Sequence, residues 1–314
     1  MATDPLPPTA PRRVPPAGGA TGFREPGPCA VDADGTRRWS AVTYATRSGY
    51  RPCVADLAVP ATASPAPVVV WIHGGGWAEG DRRYPPSTVP VGALFGGLLA
   101  AGLAVASIDY RHSLEAPHPA QLHDVKAALR YLRRFAGELG VDGDRIGLWG
   151  ESAGGHLAAL AAVTAGVAAH EGVEGVPGPG GPVRAVVDWY GIHDVGALLD
   201  AFDVSAVPAD DPHAWPRPVL AFLGDGPDTR DAARAASPIT HAGADAPPFL
   251  LVHGTDDRVV PYAQSETFAA RLRELDVDVT LSPVPGADHI LRGSPHVERI
   301  IAESVTFLAD RLGA

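Results

Sequence analysis

RIGLWGESAGGHLAALAAVTAG (145–166) decides the reading of this 314-residue chain. Residues 145–150 form a short apolar run, the pattern of a strand buried on both faces. Residues 152–166 are small and apolar and read as a helix. Gly150-Glu151-Ser152-Ala153-Gly154 lies between them as G-x-S-x-G, in the context where that pattern makes a sharp strand-to-helix turn. The glycines leave space where side chains would collide. The turn lifts the Ser152 hydroxyl to the C-terminal edge of a sheet. The helix behind it aims its N-terminus, a partial positive charge, at any anion forming there. Alone, G-x-S-x-G is a weak signal in a glycine-rich chain, and its weight depends on what surrounds it.

Upstream, PVVVWIHGGGW (67–77) reads as another buried strand, ending in His73-Gly74-Gly75-Gly76-Trp77. Glycines there let the backbone approach a ligand closely, with N–H groups free to donate to an oxyanion. Downstream, such a site needs an acid and then a histidine in chain order. PFLLVHG (248–254) runs into Thr255-Asp256-Asp257, and VDVTLSP (277–283) into Gly286-Ala287-Asp288-His289. All of these loops leave the same edge of a sheet, where α/β folds place their sites. The spacing H-G-x-x-D from His253 selects Asp257 over Asp256. Asp288 is a poor orienter of its own neighbour, but facing inward it would raise the His289 pKa.

Further strands are read over WSAVTY (39–44), CVADLAV (53–59) and RAVVDWYG (184–191), with one more inside LLAAGLAVASIDYR (98–111). Helices are read over HDVKAALRYLRRFAGELG (123–140), closed by Gly140, over AQSETFAARLREL (263–275) and over VERIIAESVTFLADRL (297–312). Alternating strands and helices predict an α/β fold, a mostly parallel central sheet with helices on both faces. Residues 1–37 read as a Pro/Gly-rich N-terminal arm and 38–314 as one catalytic domain. The long connection over about 192–246 reads as a cap insertion.

Composition narrows the function. Lys+Arg 25 against Asp+Glu 36 gives a net charge of −11, which argues against nucleic acid or an anionic membrane as partner. A hydrophobic share of 46% supports a sizeable core, and no apolar run approaches the roughly 20 residues of a membrane span. Cys29 and Cys53 are too few for a disulfide framework or a cysteine-rich metal site, and their pairing is left open. The first residues carry no apolar signal core, so the expected compartment is cytoplasmic. His118 and His123 lack the H-E-x-x-H pattern, so no metal is expected. His73 reads as a brace for its loop and His156 as a packed helix residue. Glu151 reads as a support for the elbow or the HGGG loop rather than as the acid. Trp77, Trp189, Tyr190, Trp215 and Phe222 are candidates for the wall of an apolar substrate pocket. Asp194 suits the site lining and ordinary packing equally.

HGGGW (73–77), DYRHS (109–113), EAPHPAQLHDVKAALRYLR (115–133), GESAGGHLA (150–158), ASPITHA (236–242), HGTDDRVVP (253–261) and GADH (286–289) together resemble the α/β-hydrolase superfamily. The branch is that of hormone-sensitive-lipase-like carboxylesterases, and the pattern is similar, more nearly still, to the bacterial feruloyl-esterase-like group. The resemblance covers residues 65–310. It implies the α/β-hydrolase fold with Ser152 as nucleophile, His289 as general base and Asp257 as the acid orienting it. It also implies an oxyanion hole from the N–H groups of Gly75, Gly76 and Ala153. Asp288 stands where such chains often carry glycine. The implied activity is hydrolysis of small to medium carboxylic esters through an acyl-enzyme, without cofactor. Alternatives are an arylformamidase-type amidase, or acyl transfer or cyclisation in a biosynthetic pathway. The non-enzyme alternative is a hydrolase-fold ligand receptor, against which the complete Ser152, Asp257 and His289 set argues. The expected partner is a small-molecule ester, and the oligomeric state, a homodimer included, is left open.

Overall fold

The computed structural model describes residues 21–202, 215–224 and 229–314. Eight strands carry its sheet: β1 (Arg37–Arg47), β2 (Cys53–Val59), β3 (Ala66–Ile72), β4 (Ala104–Ile108), β5 (Val141–Glu151), β6 (Ala185–Trp189), β7 (Phe249–Gly254) and β8 (Val279–Val284). Their order across the sheet is β1-β2-β4-β3-β5-β6-β7-β8. β1, β2 and β4 pair antiparallel, and every pairing from β4 to β8 is parallel. The two-residue strands Thr21–Gly22 and Ala30–Val31 pair with β1.

The unalternating apolar strands are explained by burial on both faces. In β3, Val68, Val70 and Ile72 enter one core while Val69 and Trp71 enter the other. Five helices cover the two faces: α1 (Ala93–Ala100), α2 (Ala120–Arg134), α3 (Ala153–Val163), α4 (Ala263–Glu274) and α5 (Val297–Leu312). Leu122, Leu129, Leu157, Leu160, Phe268 and Leu272 place α2, α3 and α4 on the first core. Leu94, Leu98, Ile300 and Leu308 place α1 and α5 on the second.

α2 begins three residues before the expected 123, and a short turn over Ala136–Leu139 ends at Gly140 with φ 69. Its charged positions Lys126 and Arg130 do not face water. Lys126 donates to the Thr164 carbonyl at 2.8 Å and meets Glu171 at 3.2 Å. Arg130 donates to the carbonyls of Glu171, Glu174 and Val176. The segment over 164–183 therefore covers the face that a helical wheel would assign to solvent.

Residues 21–36, read from composition as the end of a loose arm, are fastened to the domain. The Phe23 ring lies 5.7 Å from that of Phe135, Tyr131 donates to the Arg24 carbonyl, and Trp39 Nε1 donates to Gly27 O. Residues 1–20 of that arm lie outside the described residues. Cys29 and Cys53 are both free thiols. The long connection read as a cap insertion holds the short helices Val195–Asp200, Arg217–Leu223, Thr229–Ala236 and Pro238–His241. Its positions 203–214 and 225–228 lie outside the described residues. No described helix is long and apolar enough to cross a membrane.

Candidate active site

Five strands point their C-terminal ends at one place, and each supplies part of the site. After β5, Ser152 adopts φ 53 and ψ −120, a conformation non-glycine residues rarely hold. The two motif glycines make it feasible. A Cβ on Gly150 would lie 2.1 Å from the Gly154 oxygen, and one on Gly154 would lie 2.0 Å from the Ile72 oxygen. The Ser152 N–H donates to the Trp189 carbonyl at 2.8 Å, holding the elbow against β6.

Ser152 Oγ lies 3.0 Å from His289 Nε2, and His289 Nδ1 lies 2.8 Å from Asp257 Oδ2. The other Asp257 oxygen accepts the N–H groups of Val259 and Val260 at 2.9 and 2.8 Å. His253, wholly buried, sits between Ser265 Oγ and the Val260 carbonyl, with Nε2 3.4 Å from Asp257 Oδ2. Burial alone would raise the Asp257 carboxyl. The contacts with His253 and His289 and the Val260 N–H outweigh that and hold it well below the usual carboxylate range. It is therefore an anion fixed against one edge of the His289 ring.

Asp256 is exposed. Asp288 accepts the Arg258 and His289 N–H groups at 3.0 and 2.8 Å, and its other oxygen takes the Arg258 guanidinium. The Arg258 hydrogen bonds lower the Asp288 pKa to about 2. Its carboxylate thus caps the turn and does not face the imidazole.

After β3, the HGGG loop is clamped at its first peptide. The Gly74 N–H donates to Glu151 Oε1 at 2.7 Å. The Gly74 carbonyl accepts from His73 Nδ1 at 2.8 Å and from the Tyr110 hydroxyl at 3.2 Å. His73 stacks flat on Tyr110, ring centroids 4.4 Å apart, and burial lowers its pKa to about 4. His73 is thus a neutral brace. Gly75 and Gly76 follow at φ 95 and 58, and a Cβ on Gly75 would lie 2.3 Å from the Glu79 carbonyl. Together with Glu79, Glu151, Ser152, Trp215, Pro218 and His289 they line a cleft of about 280 Å³. Ala153 is the first residue of α3, directly behind the serine, and is fully buried.

Of the five aromatics expected to wall a pocket, Trp215 lines this cleft. Trp77, Trp189, Tyr190 and Phe222 are buried and do not border it. Trp77 has φ 58 and stacks on Phe222 at 4.3 Å. Its Nε1 donates to His156 Nδ1 at 3.2 Å, and His156 Nε2 donates to the Ala236 carbonyl at 2.7 Å. This stack joins the HGGG loop, α3 and the long connection. Trp189 lies in the second core and donates to Ser304 Oγ at 3.0 Å. Tyr190 packs edge-on to the His289 ring at 5.1 Å. Asp194 caps the helix Val195–Asp200 through the Ala197 N–H.

One neighbour of the site was not assigned from sequence. His253 was visible only as the start of H-G-T-D-D, and its partners come from α4 and the loop before it. Glu151 borders the cleft, and burial raises its carboxyl, opposed by His289, the Gly74 N–H and Tyr190. Among the described residues no group of three or more His, Cys, Asp or Glu is placed to hold a metal ion.

The BD-FAE family model matches residues 55–272. LipM of Mycobacterium tuberculosis, named a probable carboxylic ester hydrolase, is 33% identical over 248 residues, covering 78% of this chain and 54% of LipM. The chain spans about half the length of the curated relatives it matches. A truncated carbohydrate esterase from gut microbiota aligns with a TM-score of 0.73 at 29% identity, over 90% of this chain and 99% of that one. A bacterial heroin esterase aligns with a TM-score of 0.67 at 29% identity, over 90% and 86%. The family match covers the strands that carry Ser152 and Asp257, and the solved structures share the sheet beneath them. The chain belongs to the BD-FAE family and has the α/β-hydrolase fold.

Proposed function

We propose that this chain is a carboxylic ester hydrolase that works through an acyl-enzyme on Ser152. The observation that carries the reading is the continuous line Ser152 Oγ–His289–Asp257, at 3.0 and 2.8 Å, beside the Gly75–Gly76 backbone in one cleft. His289 Nε2 takes the serine proton as Oγ attacks the acyl carbon. The Asp257 anion holds the ring in the Nδ1–H tautomer and stabilises the imidazolium that forms. The N–H groups of Gly75, Gly76 and Ala153 receive the oxyanion, and the proton passes from His289 to the leaving alcohol. Water, activated by the same histidine, then releases the acid. The esterase names borne by LipM and the two aligned structures support an ester as substrate. The cleft volume suits an ester of small to medium size.

The test is a panel of p-nitrophenyl esters with acyl chains from two to eight carbons, run beside N-formylkynurenine. Ser152→Ala should lower kcat by roughly 10⁴–10⁶, and a fluorophosphonate probe should label the wild type but not the variant. A loss below tenfold overturns the serine assignment. A higher kcat/KM on the formamide replaces the ester reading by the amidase one.

A further inference from the structure

Among the residues lining the cleft, Glu151 is a buried carboxylate that takes no part in the Ser152–His289–Asp257 line. It directly precedes the nucleophile, yet its side chain reaches the opposite wall. Oε1 accepts the Gly74 N–H at 2.7 Å. The fit leaves no slack, since a Cβ on Gly74 would stand 2.3, 2.6 and 2.8 Å from the three Glu151 carboxyl atoms. The other end of the same residue is tied by Tyr110 and His73. Gly75 and Gly76 hang from this clamped peptide, both at positive φ.

The geometry points to Glu151 as a positioning residue whose side-chain length sets the distance between the Ser152 hydroxyl and the Gly75 and Gly76 donors. The inference rests on the proposed function above. Donors of this kind act only at about 2.7–3.1 Å from the oxygen as it becomes an anion. A misplacement of about 1 Å costs on the order of 10²-fold in rate. The effect belongs to the transition state, so it falls on kcat and leaves KM nearly alone.

Three substitutions separate reach from charge. Glu151→Gln keeps an acceptor at the same reach. Glu151→Asp keeps the charge and shortens the reach by one methylene. Glu151→Ala removes both. The glutamine variant should keep kcat within about fivefold of wild type. The aspartate and alanine variants should lose on the order of 10² in kcat with KM within about threefold. Affinity for phenylboronic acid, which forms a tetrahedral adduct on the serine, should fall with kcat in those two variants and hold in the glutamine one. Circular dichroism and melting establish that each variant is folded, and the Gln and Asp pair decides alone if the alanine variant is not.

An aspartate variant with kcat within threefold of wild type overturns the inference. So does a glutamine variant as slow as the aspartate one, because charge rather than reach would then matter. So do matched changes in kcat and KM. If the wild type hydrolyses no ester and Ser152 takes no fluorophosphonate, the proposed function falls and this inference with it. If Ser152→Ala is dead while Glu151→Asp is fully active, only the role of Glu151 falls.

Discussion

Asp288 is next to His289 in the chain, but its carboxylate is taken up by Arg258 and by the turn's own N–H groups. Asp257 is 32 positions away and meets the ring at 2.8 Å. The two aspartates should therefore respond very differently to the same change. Asp257→Asn leaves a carboxamide that favours the wrong imidazole tautomer, and kcat should fall by roughly 10⁴ with the fold intact. Asp288→Asn breaks a pair whose arginine side chain is 84% exposed, where water screens the attraction. It should keep kcat within about tenfold, and so should Asp256→Asn. The measurement is kcat on one activated ester at pH 8 for all three, with circular dichroism as the folding check. An inactive Asp288 variant beside an active Asp257 variant would assign the orienting role to the wrong loop. Asp257 was legible in the sequence because a short loop after a strand fixes where each position points. His253 was not, because its role lies in partners brought by other elements, Ser265 of α4 and the Val260 carbonyl. Glu151 was read as a support for the elbow or the HGGG loop, and it meets the Gly74 N–H of that loop, 77 positions away.

Among the elements, those with an unbroken apolar pattern were the most legible. β2 over Cys53–Val59 and α5 over Val297–Leu312 fall on the bounds read from the sequence. Their periodicity is a direct record of what they touch. β5 begins four residues earlier than read, at Val141, because Val141-Asp142 pair with β3 although their composition is that of a turn. In α2, Lys126 and Arg130 are charged and yet covered by the segment over 164–183, which helical periodicity does not show.

The sequence did not show which aromatic of the long connection over about 192–246 enters the cleft. That is settled by backbone turns such as the positive φ of Trp77, which no spacing encodes. A prediction follows at this scale. Trp215 lines the cleft, so Trp215→Ala should move the preferred acyl length towards longer chains while an acetyl ester is turned over at nearly the wild-type rate. Phe222 instead stacks on Trp77 away from the cleft, so Phe222→Ala should cost about 3–5 kcal/mol of stability with little change in chain-length preference. Melting curves and the ester panel together distinguish the two. A Phe222 variant that melts normally but changes selectivity would place that ring in contact with substrate.

For the molecule as a whole, acid should act through histidines held neutral in the interior: His73, His156 and also His118, which burial lowers to about 3. Burial lowers His73 and His156 from an ordinary value of 6.5 to about 4. Between those values the unfolded chain binds more protons than the folded one, so stability falls as pH falls. The contribution of His73 and His156 is complete above about pH 6.5, declines progressively towards pH 4, and is flat below, while that of His118 goes on declining towards pH 3. At about 1.4 kcal/mol per pKa unit, His73 and His156 are each worth on the order of 3 kcal/mol across that window. Both braces also matter locally, because His73 backs the oxyanion loop and His156 ties Trp77 to the Ala236 carbonyl of the long connection. The net charge of −11 acts in the opposite sense, since self-repulsion eases as pH approaches the isoelectric point near 5.5. Comparing the wild type with His156→Gln cancels that common term. The variant should melt lower at pH 7, having lost hydrogen bonds, but its Tm should fall less between pH 7 and 4.5 than that of the wild type. Equal slopes for the two proteins would remove His156 as a source of acid sensitivity. A wild-type Tm that is flat over the whole range would remove all three histidines.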